Sequence, residues 1–160
     1  MKQTEHQIES GDGVLVNEPA LGWFIYTIKQ LELGLRGPLE HVTQTTGLTT
    51  AQYTALSVLA IRPGITSSEL ARRSFVRAQT MAETITHLFE AGHVRREQDR
   101  DHGRRILLYL TDSGNEALTS VRGPMELLES KFLGEIDANE RQVFAQFLRK
   151  CRSNLPDLPR

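Results

Sequence analysis

Thr66-Ser67-Ser68-Glu69 places a helix-starting cap in front of Leu70 and Ala71, and a second helical stripe begins near Ala78 and stops at Gly92. Only Ser74 to Arg77 separate the two. Two helices joined by so short a turn must cross, because each has to bury an apolar stripe and the second cannot prolong the axis of the first. Ala71 is the small residue that allows close approach, and Leu70, Val76 and Met81 fall at inward-facing offsets. Arg77 to Thr86 are then the presented face. Phe75 occupies the turn position where such motifs commonly carry glycine.

Two short extended segments follow, His93 to Glu97 and Arg105 to Leu110, separated by the charged turn Gln98 to Arg104. They read as a hairpin. A helix pair followed by a basic hairpin makes up a winged helix-turn-helix, so the expected fold is mainly α with a small β-hairpin wing. Upstream, Thr49-x-x-Gln52 is a capping box that opens a helix ended by Arg62-Pro63-Gly64, and Thr66 to Glu69 reads as another. Downstream, Thr111 caps a helix carrying Leu118, Val121, Met125, Leu128 and Phe132, and Asp137 to Glu140 starts a last one with Val143, Phe144, Phe147 and Leu148.

The organisation expected is a flexible tail at 1–18, an N-terminal dimerisation helix region at 19–48, the winged helix-turn-helix at 49–111, and C-terminal dimerisation helices at 112–160. In the second segment Leu21, Phe24, Ile25, Ile28, Leu31, Leu35, Leu39 and Val42 recur at helical steps, with a kink or break expected near Gly37-Pro38. The flanking helices carry more apolar positions than a small winged module covers, which favours a homodimer. A dimer also lets two recognition helices read half-sites about 34 Å apart.

Net charge is −1, yet the stretch from Leu70 to Arg105 holds eight arginines against five acids, +3 locally and −4 elsewhere. Such a patch attracts phosphates over about 8 to 10 Å. Gln79, Thr80 and Glu83 lie on the outward helix face and suit base edges: Gln pairs with adenine, Thr packs on a thymine methyl, and Glu accepts from a cytosine amino group. Arg77 and the region of Thr66, Ser67 and Ser68 suit phosphates. Arg100, Arg104 and Arg105 extend from the wing, where Asp99 and Asp101 are expected to orient them by fork pairing, and a wing arginine can enter a minor groove. An effector pocket is expected where the first helix meets the second and fifth, with Trp23, Tyr26, His41 and Tyr53 as linings.

At Gly92-His93-Val94-Arg95-Arg96, Asp99, Arg104 and Leu110-Thr111-Asp112-Ser113-Gly114 the chain resembles the MarR family of bacterial regulators, over roughly Leu21 to Leu148. The resemblance implies a triangular homodimer with N- and C-terminal helices intertwined. It also implies a double-stranded, pseudopalindromic DNA operator, and often release by a small phenolic or other amphipathic effector. His102 stands where many members carry an aspartate that braces the wing arginine.

No catalytic motif, phosphate loop or dinucleotide fingerprint is present, no cofactor is implied, and the five histidines lack metal-pair spacing. Cys151 is the single cysteine, so no internal disulfide forms, and its reading is spectator rather than redox sensor. No apolar run approaches the ~18 residues of a membrane span and no leader is visible, so a cytoplasmic protein is expected. The function expected is a DNA-binding transcriptional regulator, in the commoner case a repressor. The alternative is a winged-helix protein-interaction module; a dimerisation domain of a larger enzyme is a third, weaker reading.

Overall fold

The computed structural model describes residues 21–155; the segment 1–18, expected as a tail, lies outside them. In chain order the elements are α1 (Trp23–Gln44), α2 (Thr50–Ile61), α3 (Ser67–Arg73), α4 (Ala78–Glu90), β1 (Val94–Gln98), β2 (Ile106–Leu110), α5 (Asp112–Leu133) and α6 (Ala138–Asn154). Two compact units part between Arg36 and Gly37. Helix α1 nevertheless continues through Pro38. Of the expected kink or break, the break does not form, since a proline removes only one rung and the neighbouring rungs carry the helix past it.

The core belongs to the second unit. Leu56 and Leu59 of α2, Leu70 and Ala71 of α3, and Met81, Ile85 and Leu88 of α4 are buried together with Val94, Leu108 and Val121. Helix α2 begins at a complete capping box: Thr49 Oγ1 accepts from the Gln52 amide, and the Gln52 side chain accepts from the Thr49 amide. At α3 only half of the expected box forms. Thr66 Oγ1 accepts from the Glu69 amide at 3.3 Å, but Glu69 turns its carboxylate forward to Arg73, 2.6 Å away. A charged guanidinium outcompetes a neutral backbone amide for that carboxylate.

The turn between α3 and α4 holds Phe75 at φ +54, the one positive φ at a non-glycine among the described residues. The glycine-favouring conformation is therefore present without the glycine. Its side chain is 69% exposed, so no core contact offsets the backbone cost. Helix α4 then buries Met81, Thr84, Ile85 and Leu88 along one face. The Thr84 hydroxyl satisfies itself by donating to the Thr80 carbonyl.

The wing is an antiparallel pair registered Val94↔Leu110 through Gln98↔Ile106. Ile65 adds an isolated bridge to Leu108, with the Gly64 amide donating to Leu108 O and the Leu108 amide to Ile65 O. A single bridging residue has no alternation to betray it in the sequence. The wing is clasped to α5 by Thr111, whose hydroxyl accepts from the Gly114 amide and donates to Gly92 O. Gly114 is buried here, and a Cβ on it would lie 2.2 Å from His93 O. At the far end Asp137 and Glu140 form a complete capping box for α6. No helix among the described residues is long and apolar enough to cross a membrane.

Two outcomes follow from these contacts. Gly114→Ala forces backbone apart where the wing meets α5, so urea denaturation is expected to show a loss of about 1 to 3 kcal/mol. Arg73 beside Glu69 holds that carboxyl below its ordinary value near 4.5. A lowered carboxyl contributes stability above that pH and loses it as pH falls through the folded value. Wild type should therefore exceed Glu69→Gln by about 0.3 to 0.5 kcal/mol at pH 7, the difference vanishing at strongly acid pH.

Candidate nucleic-acid interface

Because Met81, Thr84, Ile85 and Leu88 turn inward, the opposite face of α4 is left to solvent. Gln79, Thr80 and Glu83 are all exposed there. Gln79 Nε2 donates to Glu83 Oε1 at 2.8 Å, so the two side chains form one hydrogen-bonded unit. An amide nitrogen has two hydrogens, so one N–H and the carbonyl oxygen of Gln79 stay open to an incoming partner. Arg77 is the exposed N-cap residue of α4 and makes no side-chain cap bond. Ser67 and Ser68 open α3 behind the Thr66 cap; Ser68 is exposed and the other two half-buried.

The eight arginines between Leu70 and Arg105 sort by partner. Arg72 and Arg73 face Glu69. Arg95 stacks over Tyr109 and pairs with Glu97, and Arg96 stacks over Phe89, both guanidiniums 4.6 Å from the ring centres. These four are engaged by the protein itself. Arg77, Arg100 and Arg104 meet no acid among the described residues, and Arg105 meets one loosely. The charge excess is thus concentrated at the start of α4 and the wing turn.

The expected forks in the wing are absent. Asp99 reaches Arg105 through one 3.7 Å contact, because its other oxygen accepts the Asp101 amide at 3.0 Å and shapes the turn. His102 contributes its backbone carbonyl to the Arg105 amide, while its ring Nδ1 lies 2.6 Å from Asp101 O. The wing is therefore braced by backbone hydrogen bonds, with the guanidiniums of Arg100 and Arg104 left to solvent.

A hollow of about 200 Å³ lies between α2 and α5, walled by Tyr53, Ser57, Leu118, Val121, Arg122, Met125, Glu126 and Glu129. Of the expected effector linings Tyr53 borders it. Trp23 and Tyr26 are exposed on the opening turns of α1, and His41 is exposed near its end. Ser57 and Arg122 had no signal of their own. Leu118, Val121 and Met125 were legible as an apolar stripe, but not as walls, since the facing surface of α2 is a tertiary fact. Cys151 is exposed on α6. Among the described residues no group of three or more His, Cys, Asp or Glu could hold a metal ion.

Comparison with known proteins agrees with this geometry. A MarR family model matches residues 46–105, the span from the start of α2 to the wing. The transcriptional regulator HosA of Escherichia coli is 32% identical over 103 residues, 64% of this chain and 76% of HosA. The transcriptional repressor Rv2887 of Mycobacterium tuberculosis is 26% identical over 140 residues, 88% of this chain and 99% of its own. Rv2887 has also been solved in complex with salicylic acid, and that structure superposes with a TM-score of 0.65 over 86% of this chain and 99% of its own. A MarR family regulator from Silicibacter pomeroyi superposes with a TM-score of 0.73 at 26% identity, covering 84% of this chain and 90% of that one. With the helix pair, the two-stranded wing and this degree of identity all in agreement, the chain belongs to the MarR family of winged helix-turn-helix transcriptional regulators, DNA-binding proteins and not enzymes.

Proposed function

We propose that the protein is a repressor that binds a pseudopalindromic operator as a homodimer and leaves it when a small amphipathic effector binds. The observation that carries this reading is the division of α4 into a buried apolar face and an exposed Gln79, Thr80 and Glu83 face, flanked by uncommitted arginines of the α4 start and the wing. A helix about 10 to 12 Å across fits the major groove. Gln79 reads adenine through its open N–H and carbonyl while Glu83 steadies the carboxamide. Where the bases differ, Glu83 can accept from a cytosine amino group, and Thr80 packs on a thymine methyl. Arg77, Ser67, Ser68 and the Thr66 cap region hold phosphates, and Arg100, Arg104 and Arg105 follow the backbone into the adjacent minor groove.

Dimerisation is supported by apolar exposure. Phe24, Ile25 and Ile28 on α1 are 64%, 72% and 51% exposed, and Leu127, Val143 and Phe147 on α5 and α6 are 58%, 49% and 58% exposed. A second copy covering such side chains gains roughly 1.5 to 3 kcal/mol for each one fully buried. Effector release is supported by the salicylic acid complex of Rv2887 and by the hollow that Tyr53 borders. To clear an operator, the ligand must favour the DNA-incompetent state by a few kcal/mol.

Selection of bound sequences from random duplex DNA tests the reading directly, and a consensus without two-fold symmetry would reject it. In titrations on the selected duplex, affinity should fall about 10³- to 10⁵-fold between 50 and 200 mM salt if 6 to 10 phosphates are contacted. Arg104→Ala is expected to weaken matched and scrambled duplexes alike. Gln79→Ala should instead cost about 1 to 3 kcal/mol at one base position. In sedimentation, Phe147→Glu should shift the dimer toward monomer.

A further inference from the structure

A second hollow, of about 450 Å³, lies where the C-terminal ends of α2, α3 and α6 meet. Its lining is unusual in composition: Arg62, Arg72, Arg73, Arg149 and Arg152 ring it, and Val58, Ile61 and Phe75 supply apolar wall. Glu69 occupies Arg73 and reaches Arg72 at 3.8 Å. Arg62, Arg149 and Arg152 have no ion-pair or hydrogen-bond partner for their guanidiniums among the described residues. Basic residues in a last helical turn complement the helix dipole, which accounts for Arg72, Arg73 and Arg152; Arg62 is the C-cap of α2 and Arg149 lies a turn before the end of α6. The dipole does not account for Arg62, Arg149 and Arg152 lining one space beside Arg72, nor for Ile61 and Phe75 standing 74% and 69% exposed there.

We propose that this hollow binds a small dianion carrying a flat apolar body, such as an aryl phosphate or an aromatic dicarboxylate. Planar guanidiniums match the oxygen pairs of such groups and stack on ring faces. The volume lies within the range of about 300 to 1,000 Å³ usual for small-molecule sites. A DNA backbone offers phosphates but no apolar body, and would leave Ile61 and Phe75 uncovered. The site is separate from the α2–α5 hollow assigned above to the effector. It is also compatible with a dimer. At 3.6 residues per turn, Arg149, Arg152 and Ser153 centre roughly 160° around α6 from Val143, Phe144, Phe147 and Leu148. A partner covering that apolar stripe leaves the arginine side open. An occupant joining Arg149 and Arg152 to Arg62 and Arg72 would tie the last helix to the helix-turn-helix.

Isothermal titration of the full chain with 1-naphthyl phosphate tests the assignment, with inorganic phosphate and 1-naphthol as half-probes. One saturable site per chain is expected, with each half-probe at least tenfold weaker. The double variant Arg149→Ala/Arg152→Ala and the single variant Arg62→Ala should each lose tenfold or more. Their melting temperatures should match wild type, because these side chains are exposed. Phe75→Ala should weaken 1-naphthyl phosphate while leaving inorganic phosphate unchanged. Absence of binding, equal binding of inorganic phosphate, or full binding by the arginine variants would overturn the proposal. So would weakened duplex binding by those variants with 1-naphthyl phosphate unaffected, which would assign the arginines to the DNA backbone. Failure of operator selection leaves this titration untouched, so the two readings fail independently.

Discussion

Met81, Ile85 and Leu88 hold α4 against α2 and α3, and the direction of every outward residue on that helix follows from their burial. Each such side chain contributes roughly 1.5 to 3 kcal/mol, a sizeable share of the 5 to 15 kcal/mol that keeps a domain of this kind folded. On the proposed reading, recognition and stability are carried by opposite faces of one helix. Changes at Gln79 or Thr80 can alter what is read without loosening the core, whereas changes at Ile85 would tilt the reading surface itself.

The wing is placed by a second, smaller set of contacts. Thr111 bonds both Gly92 and Gly114, and His93 Nδ1 lies 2.9 Å from Ser113 Oγ, so the end of α4, the root of the hairpin and the start of α5 meet at one point. That junction links α4 to the long helix that borders the α2–α5 hollow. On the proposed reading, a ligand pressing on Leu118 or Met125 would act on an element that starts at the wing root. The route from hollow to wing is short because α5 begins where β2 ends.

Arginine occupies three different settings in this chain. Arg73, Arg95 and Arg96 are absorbed by a carboxylate or an aromatic face within the protein. Arg77, Arg100 and Arg104 stand where the helix-turn-helix and wing meet solvent. A third group, Arg62, Arg149 and Arg152, gathers at the ends of α2 and α6. Net charge conceals this, because acids elsewhere in the chain cancel the sum without cancelling the local field.

Local rules were enough to read most of the fold. The caps at Thr49, Thr66, Thr111 and Asp137, the stop at Gly92 and the short extended runs on either side of the charged turn each depend on near neighbours, so they stand in the sequence by itself. The outward set Gln79, Thr80 and Glu83 was legible for the same reason, since helical period alone separates it from Met81 and Ile85. Competition and convergence were not legible. That Glu69 prefers Arg73 to its own cap, that Asp99 shapes a turn instead of forking an arginine, and that Ile65 bridges Leu108 all depend on which groups the packed chain brings within reach. The walls of the two hollows depend on the same thing. Spacing along a helix says which side chains share a face, and only the packing of one element on another decides what that face meets.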